Sequence, residues 1–366
     1  MNKKTVLILG GGVGGIVTAN ALRAQLPAEH RVIVVDKNTE HIYSPSLLWV
    51  MVGWRQPGQI SKSLHRLIHP GIEIVQAEVQ AIDLDTQQVS TTKATMDYDY
   101  LVVALGAILA PETVPGFSHA AHSPYNLEGA TNLCSSLGSF DGGRVAVLVS
   151  SIPYKCPAAP YEAALLLDYY LRKRGIRERS KVEVYTPETL PMGVAGPAMG
   201  KAVVGMLETN GIHFNPNLKP TEIDPIKKEL HFVDQDAIPF DLLVGVPPHL
   251  PPQVMMGSSL SNESGWIPVN KRTLQTNHEN VYAIGDVAAI TLANGKSLPK
   301  AGVFAEGQAH TVARRIAGDI SGLRAQSEYD GLGYCWIETG SGSAGFASGE
   351  FYAEPDPVVS LLRSGR

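Results

Sequence analysis

Val6-Leu7-Ile8-Leu9-Gly10-Gly11-Gly12-Val13-Gly14-Gly15, closed by an acid at Asp36, is the stretch on which the reading of this chain turns. The unbroken apolar run at residues 6–9 suits a strand covered on both faces. The glycines that follow contain Gly-x-Gly-x-x-Gly, and each has a mechanical task. Gly10 makes the tight turn, Gly12 lets a pyrophosphate approach the backbone, and Gly15 lets a helix pack close to the strand. The unpaired amides and positive dipole end of that helix favour an anion. Ile16, Ala19, Asn20, Leu22 and Leu26 continue at helical spacing until Pro27 ends the run. Residues 31–35 form the next strand, and Asp36 at its tip is placed to accept hydrogen bonds from a ribose diol.

Glycine clusters are common in turns, but here strand, helix, strand and acid stand together, which makes a dinucleotide site the reading. Gly14 and Lys37 belong to the same expected contact set. FAD and NAD share this fingerprint, so the choice between them falls to the rest of the chain.

With 366 residues the chain exceeds what one core usually serves, and two nucleotide-type domains plus an appendage are expected. Charged residues at 18% and hydrophobic ones at 44% argue against disorder. A net charge of -5 offers no basic stripe for nucleic acid. The first apolar run leads straight into the glycine turn, so it reads as a strand and not as a targeting segment. No window approaches eighteen uninterrupted apolar residues, and the expected location is cytoplasmic or peripheral at the inner face of a membrane. Cys134, Cys156 and Cys335 are too few and too far apart for a disulfide framework or a zinc site. His65, His69, His119, His122 and His249 show no ligand spacing, so no metal is expected.

Residues 42–50, with Ser44 and Pro45 at their start, are apolar for a loop and suit either a core cover or a wall beside a flat cofactor. Residues 72–75, 78–84 and 87–91 alternate like a small meander that includes Val79. Residues 98–106 form a strand ending in Ala104 and Gly106, small enough for backbone to approach a ligand. Residues 111–116 look like a hinge.

A second cycle opens with the apolar strand at residues 144–149. Its turn, residues 150–157, contains no glycine, and Pro153 and Pro157 remove backbone donors, so a pyrophosphate is not expected there. A helix at residues 158–174 follows, with Glu162 in its first turns. The strand at residues 182–186 ends without the acid that would hold an NAD ribose. The chain then returns through a strand ending in Gly285-Asp286, and Lys300-Ala301-Gly302 precedes a helix at residues 303–317. The tail, residues 334–352, has strand-like spacing and carries Cys335. Cys134 reads as core on the helical stretch at residues 128–137.

These segments together resemble the two-dinucleotide-domain flavoproteins, and within them the sulfide:quinone oxidoreductase and flavocytochrome c sulfide dehydrogenase group, from residue 5 to about residue 352. Three pieces carry the resemblance. The N-terminal fingerprint with Ala283-Ile284-Gly285-Asp286 is similar to the FAD half, which favours FAD and implies that Asp286 bonds its ribitol or pyrophosphate. Residues 155–162, Lys155-Cys156-Pro157-Ala158-Ala159-Pro160-Tyr161-Glu162, resemble the segment of the first redox cysteine and its carboxylate. Tyr334-Cys335-Trp336-Ile337-Glu338 resembles the segment of the second. Lys300 is similar to the lysine beside the flavin, where a cation would stabilise charge on the reduced ring.

The resemblance implies an α/β fold of two Rossmann-like three-layer domains of glutathione-reductase type. The FAD domain would span 1–112 and 271–325, a second domain without NAD 113–270, and a redox-cysteine segment lacking a full membrane anchor 326–366. It implies sulfide oxidation through a Cys156 and Cys335 pair, with Glu162 moving protons and a quinone or other acceptor taking the electrons. Ser44 stands where flavocytochromes carry the flavin-linking cysteine, so FAD is expected to be noncovalent. An NADH-dependent flavin dehydrogenase, a flavocytochrome subunit and a non-enzymatic flavin-binding module stay open as alternatives, as does a homo-oligomer. The glycine-free turn argues against the first, and no Cys-x-x-Cys-His is present for haem.

Overall fold

The computed structural model describes residues 3–323 and 326–365, with backbone alone at residues 363–365. The expected end of the first domain, residue 325, lies outside the described residues. Two compact α/β units emerge. One comprises the chain through His41, Lys62–Ile108 and Leu250–Gly333; the other comprises Ile42–Ser61, Leu109–His249 and the chain from Tyr334.

In the first unit five parallel strands lie in the order Val281–Ala283, Tyr100–Val103, Thr5–Leu9, Arg31–Asp36 and Glu73–Gln76. The register sets Val6 beside both Val32 and Tyr100. Val6, Leu7, Ile8 and Leu9 are each fully buried, as the continuous apolar run demanded. Each such side chain contributes roughly 2 kcal/mol of burial. Leu7, Leu9, Ile33, Val35, Leu101 and Val103 form one core with Val79 and Val89 of an antiparallel layer made by Val79–Asp83, Gln88–Thr91 and Thr95–Asp97. The last of these short strands went unread in the sequence. The helices Val13–Gln25 and Gly302–Ile320 pack together. Gly14 makes that approach close, because a Cβ there would meet Ile284 at 3.1 Å and Ala305 at 3.7 Å.

The second unit repeats the plan with four parallel strands ordered His213–Asn215, Ser180–Tyr185, Gly143–Val149 and Leu242–Val246. Val145, Val147 and Val149 point into a core with Leu133, Leu137, Leu165, Leu166, Val203 and Leu207 of the helices Leu127–Ser139, Ala159–Lys173 and Pro197–Thr209. Ala146 and Leu148, alternating to the other face, meet Phe117, Ile223, Leu230 and Phe240. Within residues 42–50, Leu48 packs with Leu133 and Leu137, and Leu47 and Val50 pack with Ile60 and Ala130.

The tail forms a three-stranded sheet of Leu332–Gly340, Ser343–Glu350 and Val358–Gly365. Period-two alternation turns Cys335, Ile337, Ala347, Val359 and Leu361 towards the second unit's core and leaves Tyr334, Trp336, Val358 and Leu362 exposed.

Candidate functional site

The glycine turn of the first unit is built on backbone contacts that only glycine allows. Gly10 has φ +107°, and a Cβ there would lie 2.3 Å from the Ala104 carbonyl oxygen. A Cβ at Gly15 would lie 1.8 Å from the Gly10 carbonyl oxygen. Gly12 and Gly106 differ from these two, since a Cβ at either would meet nothing within 4 Å. Space is therefore left open on the ligand side of the turn and closed on the packing side. The Val13–Gln25 helix starts at Gly12 with no side-chain cap and no acid in its first turn, so its first amides remain available to an anion. An open cradle facing uncapped amides fits a pyrophosphate.

Asp36 stands at the strand tip, where Oδ2 accepts the Gly11 amide at 2.6 Å and Oδ1 accepts the Asn38 amide at 2.7 Å. These bonds fix the carboxylate against the turn and leave lone pairs for a diol. Lys37 reaches Glu78 at 3.2 Å. Val79 places its side chain in the core. Ser44 and Pro45 are exposed on the short turn Ser44–Ser46 and belong to the second unit.

On the returning strand, Gly285 has φ +70° and donates its amide to Gln308 Oε1 at 2.7 Å. Asp286 follows, and its carbonyl accepts a hydrogen bond from Lys300 Nζ. The ammonium also lies 3.6 Å from the centroid of the Trp266 ring, a contact that no local motif announces. Burial pushes Lys300 down to about 8, against the opposing pull of Asp286. Ala301 is the uncapped start of the Gly302–Ile320 helix, and a pocket lined by Gly285, Lys300, Ala301, Phe304 and Gln308 opens beside it.

The sulfur chemistry concentrates in the second unit. Cys156 is exposed, with φ +53°, in the turn before the Ala159–Lys173 helix. Its carbonyl accepts the Ala159 amide at 2.9 Å and the Tyr125 hydroxyl at 3.3 Å. One turn into that helix, Glu162 is pushed up to about 8, chiefly by burial. Its Oε1 accepts the Glu338 amide at 3.3 Å. Cys335, three residues before Glu338 on the same strand, is pushed up to about 11 by burial and by the Glu162 charge. Tyr125 feels Cys156, Glu162 and Glu188, and burial drives its hydroxyl well above its ordinary value. Glu162 thus acts on both Cys335 and Tyr125, and the Tyr125 hydroxyl bonds the Cys156 carbonyl. Cys134 faces Gly53 from the Leu127–Ser139 helix.

The Ser180–Tyr185 strand ends without an acid at its tip, as expected, and the buried Glu188 follows two residues beyond Thr186. Its Oε2 accepts the Tyr154 hydroxyl at 2.7 Å, the Tyr161 hydroxyl, and the Thr186 hydroxyl at 3.3 Å. Both tyrosines come from the region around the glycine-free turn, so this buried carboxylate is bonded from within the chain. Burial raises its proton affinity. Among the described residues no cluster of three or more His, Cys, Asp or Glu could hold a metal, and no helix is long and apolar enough to cross a membrane.

Two nucleotide-type units, a glycine cradle in the first and cysteines beside a proton-holding carboxylate in the second, are the build of a flavin-dependent oxidoreductase. The chain belongs to the pyridine nucleotide-disulphide oxidoreductase family, whose pattern matches residues 4–309. It is 26% identical to the mitochondrial sulfide:quinone oxidoreductase of Mus musculus, over 97% of this chain and 80% of that protein. It is 28% identical to the sulfide-quinone reductase of Aquifex aeolicus, over 87% of this chain and 77% of the relative. The solved structure of the Aquifex aeolicus sulfide:quinone oxidoreductase superposes with a TM-score of 0.87 at 25% identity, over 98% of this chain and 87% of that one.

Proposed function

We propose that this protein oxidises sulfide through Cys156 and Cys335, holds FAD noncovalently at the glycine cradle, and passes the electrons to a quinone. The observation that carries the reading is the coupling of Cys335 to Glu162 on the helix whose preceding turn bears Cys156. The names of the relatives supply sulfide and quinone, and Ser44 supports a flavin without a covalent link. A quinone acceptor suits work at a membrane face.

With Cys156 and Cys335 joined as a disulfide, hydrosulfide attacks the more exposed sulfur, Cys156. The S–S bond breaks, its electron pair leaves on Cys335, and Cys156 keeps the attacking sulfur as a persulfide. A thiolate at Cys335 is disfavoured below about pH 11, so departure is eased by a proton from Glu162, which keeps one below about 8. A second hydrosulfide attacks the outer sulfur of the persulfide and releases it as a disulfane, freeing Cys156. The flavin, when bound, accepts the two electrons given up as the two thiols close to a disulfide again. Glu162 takes back a proton in that closure.

The test is anaerobic mixing of the yellow holoenzyme with sulfide or NADH. Sulfide should bleach the flavin, and Cys156→Ser or Cys335→Ser should abolish bleaching while leaving flavin bound. Fast bleaching by NADH with none by sulfide would overturn the proposal.

A further inference from the structure

Gly11, in the middle of the glycine turn, is buried and bonded at both of its polar backbone groups. Its amide donates to Asp36 Oδ2 at 2.6 Å. A Cβ on it would meet Leu64 Cδ1 at 2.9 Å and Asp36 Cβ at 3.3 Å, which leaves the backbone little room on that side. Its carbonyl oxygen lies 3.2 Å from Nδ1 of His41, 30 positions away in sequence.

Local chemistry brings the histidine back to the turn. Asp36 Oδ1 accepts the Asn38 amide at 2.7 Å and the Asn38 side-chain amide at 3.1 Å, an Asx turn that redirects the chain beyond the strand. The Leu64 amide then donates to the Thr39 carbonyl at 3.0 Å, and the short strand Glu40–Ile42 carries His41, half-buried, to the Gly11 carbonyl. One carboxylate therefore fixes the Gly11 amide and starts the turn that supplies a partner for the Gly11 carbonyl. A carbonyl oxygen only accepts, so Nδ1 of His41 carries the proton of this bond. The Gly11 carbonyl and the Gly12 amide belong to one trans peptide plane and point in opposite directions, so fixing the first aims the second. Donation to the carbonyl also polarises the plane and strengthens the Gly12 N–H as a donor. Gly12 is exposed, with nothing within 4 Å of where a Cβ would lie, so the open side of the turn is at this residue.

We propose that His41 is a positioning residue of the cofactor cradle, whose Nδ1–H locks the Gly11–Gly12 peptide so that the Gly12 amide is aimed at the pyrophosphate before the cofactor arrives. The proposal rests on the FAD reading above. A donor fixed in advance loses little freedom on binding, so the gain appears in affinity. His41→Phe keeps a flat ring and removes the donor. His41→Asn keeps an N–H donor near the Nδ1 position.

The experiment measures binding of FAD, ADP and adenosine to the cofactor-free full chain by titration calorimetry, alongside side-chain 15N spectra of the histidine-labelled protein. ADP carries the two phosphates of FAD, and adenosine carries none. His41→Phe should weaken FAD and ADP about tenfold and leave adenosine within about twofold of native. His41→Asn should hold FAD and ADP within about threefold. The His41 signal, identified by its loss in His41→Phe, should show the Nδ1–H tautomer when the ring is neutral. The positioning role is overturned by a His41→Phe loss that adenosine shares, by no loss at all, by an equal loss in His41→Asn, or by an Nε2–H tautomer. Failure of the native protein to bind FAD and ADP overturns the cofactor reading instead, while the tautomer still decides whether His41 bonds Gly11.

Discussion

Tyr154 donates its hydroxyl proton to Glu188 at 2.7 Å, beside the glycine-free turn of the second unit. Tyr161 binds the same oxygen, so displacing either leaves a buried hydroxyl or carboxylate without its partner. The expected outcome is that NADH neither binds the second unit nor bleaches the flavin, as read by titration calorimetry and anaerobic absorbance. Glu188→Ala removes the carboxylate shared by two buried tyrosine hydroxyls, leaving Tyr154 only the Pro157 carbonyl at 3.3 Å, and should lower unfolding stability by about 2–4 kcal/mol in urea titrations. Glu188→Gln keeps an acceptor and should lose much less. Equal losses would mean that the carboxylate's hydrogen bonds do not hold this turn.

The two kinds of glycine in the N-terminal turn separate folding from cofactor binding. Gly15→Ala sets a methyl 1.8 Å from the Gly10 carbonyl and should destabilise the fold by about 3 kcal/mol or more. Gly12 has φ -77° with open space where its Cβ would go, so Gly12→Ala should leave the stability of the cofactor-free protein within about 0.5 kcal/mol of native. It should nonetheless lose FAD on gel filtration, because the methyl enters the pyrophosphate path. Retention of stoichiometric FAD by Gly12→Ala would remove the cradle from that role.

This contrast shows why the first unit was legible in sequence and the sulfur site only partly so. The demands at Gly10, Gly12 and Gly15 arise within one turn, where spacing alone fixes the geometry. The strands around them are continuous apolar runs whose burial follows from composition. Glu338 and Trp49 announce nothing locally, because their meaning is a hydrogen bond closed across the fold. Glu188 is of the same kind, since its hydroxyl partners Tyr154 and Tyr161 lie far from it in sequence. Residues 42–50 were open to two readings for the same reason: an apolar loop does not reveal which core it covers. The cysteine segments stood out only through family resemblance, since a free cysteine by itself packs as a small apolar residue.

Cys335 should be far less reactive than the exposed Cys156 towards iodoacetamide at neutral pH, because burial opposes its thiolate. In a Cys134→Ser, Cys156→Ser background its alkylation rate should rise with pH towards about 11. Glu162 is ionised throughout the upper part of that range, having lost its proton near 8. Glu162→Gln removes the repelling charge and should speed alkylation at pH 9.5 by about threefold, half a pKa unit. Mass spectrometry of the carbamidomethylated peptide gives the rate. An unchanged rate would show that Glu162 does not reach the sulfur.

The proposed place of Lys300 beside the flavin makes a pH-dependent prediction. Its value near 8 lies below the 10.5 of a solvated lysine, so it is fully charged only below about pH 8 and loses its proton as pH rises through that point. A cation beside a reduced flavin stabilises the extra charge and raises the potential, and an anion arriving there draws the lysine upward again. Lys300→Met should therefore make the two-electron potential about 30 mV more negative at pH 6.5, equivalent to roughly 1.4 kcal/mol. The gap from native should narrow above pH 8 as the native lysine itself becomes neutral. The Trp266 face and the Asp286 carbonyl hold the ammonium before any cofactor arrives, so the site is charged in advance and needs no rearrangement. Dye-equilibrated redox titrations at several pH values read the gap directly. A gap of constant size from pH 6.5 to 10 would assign the effect to packing instead of charge.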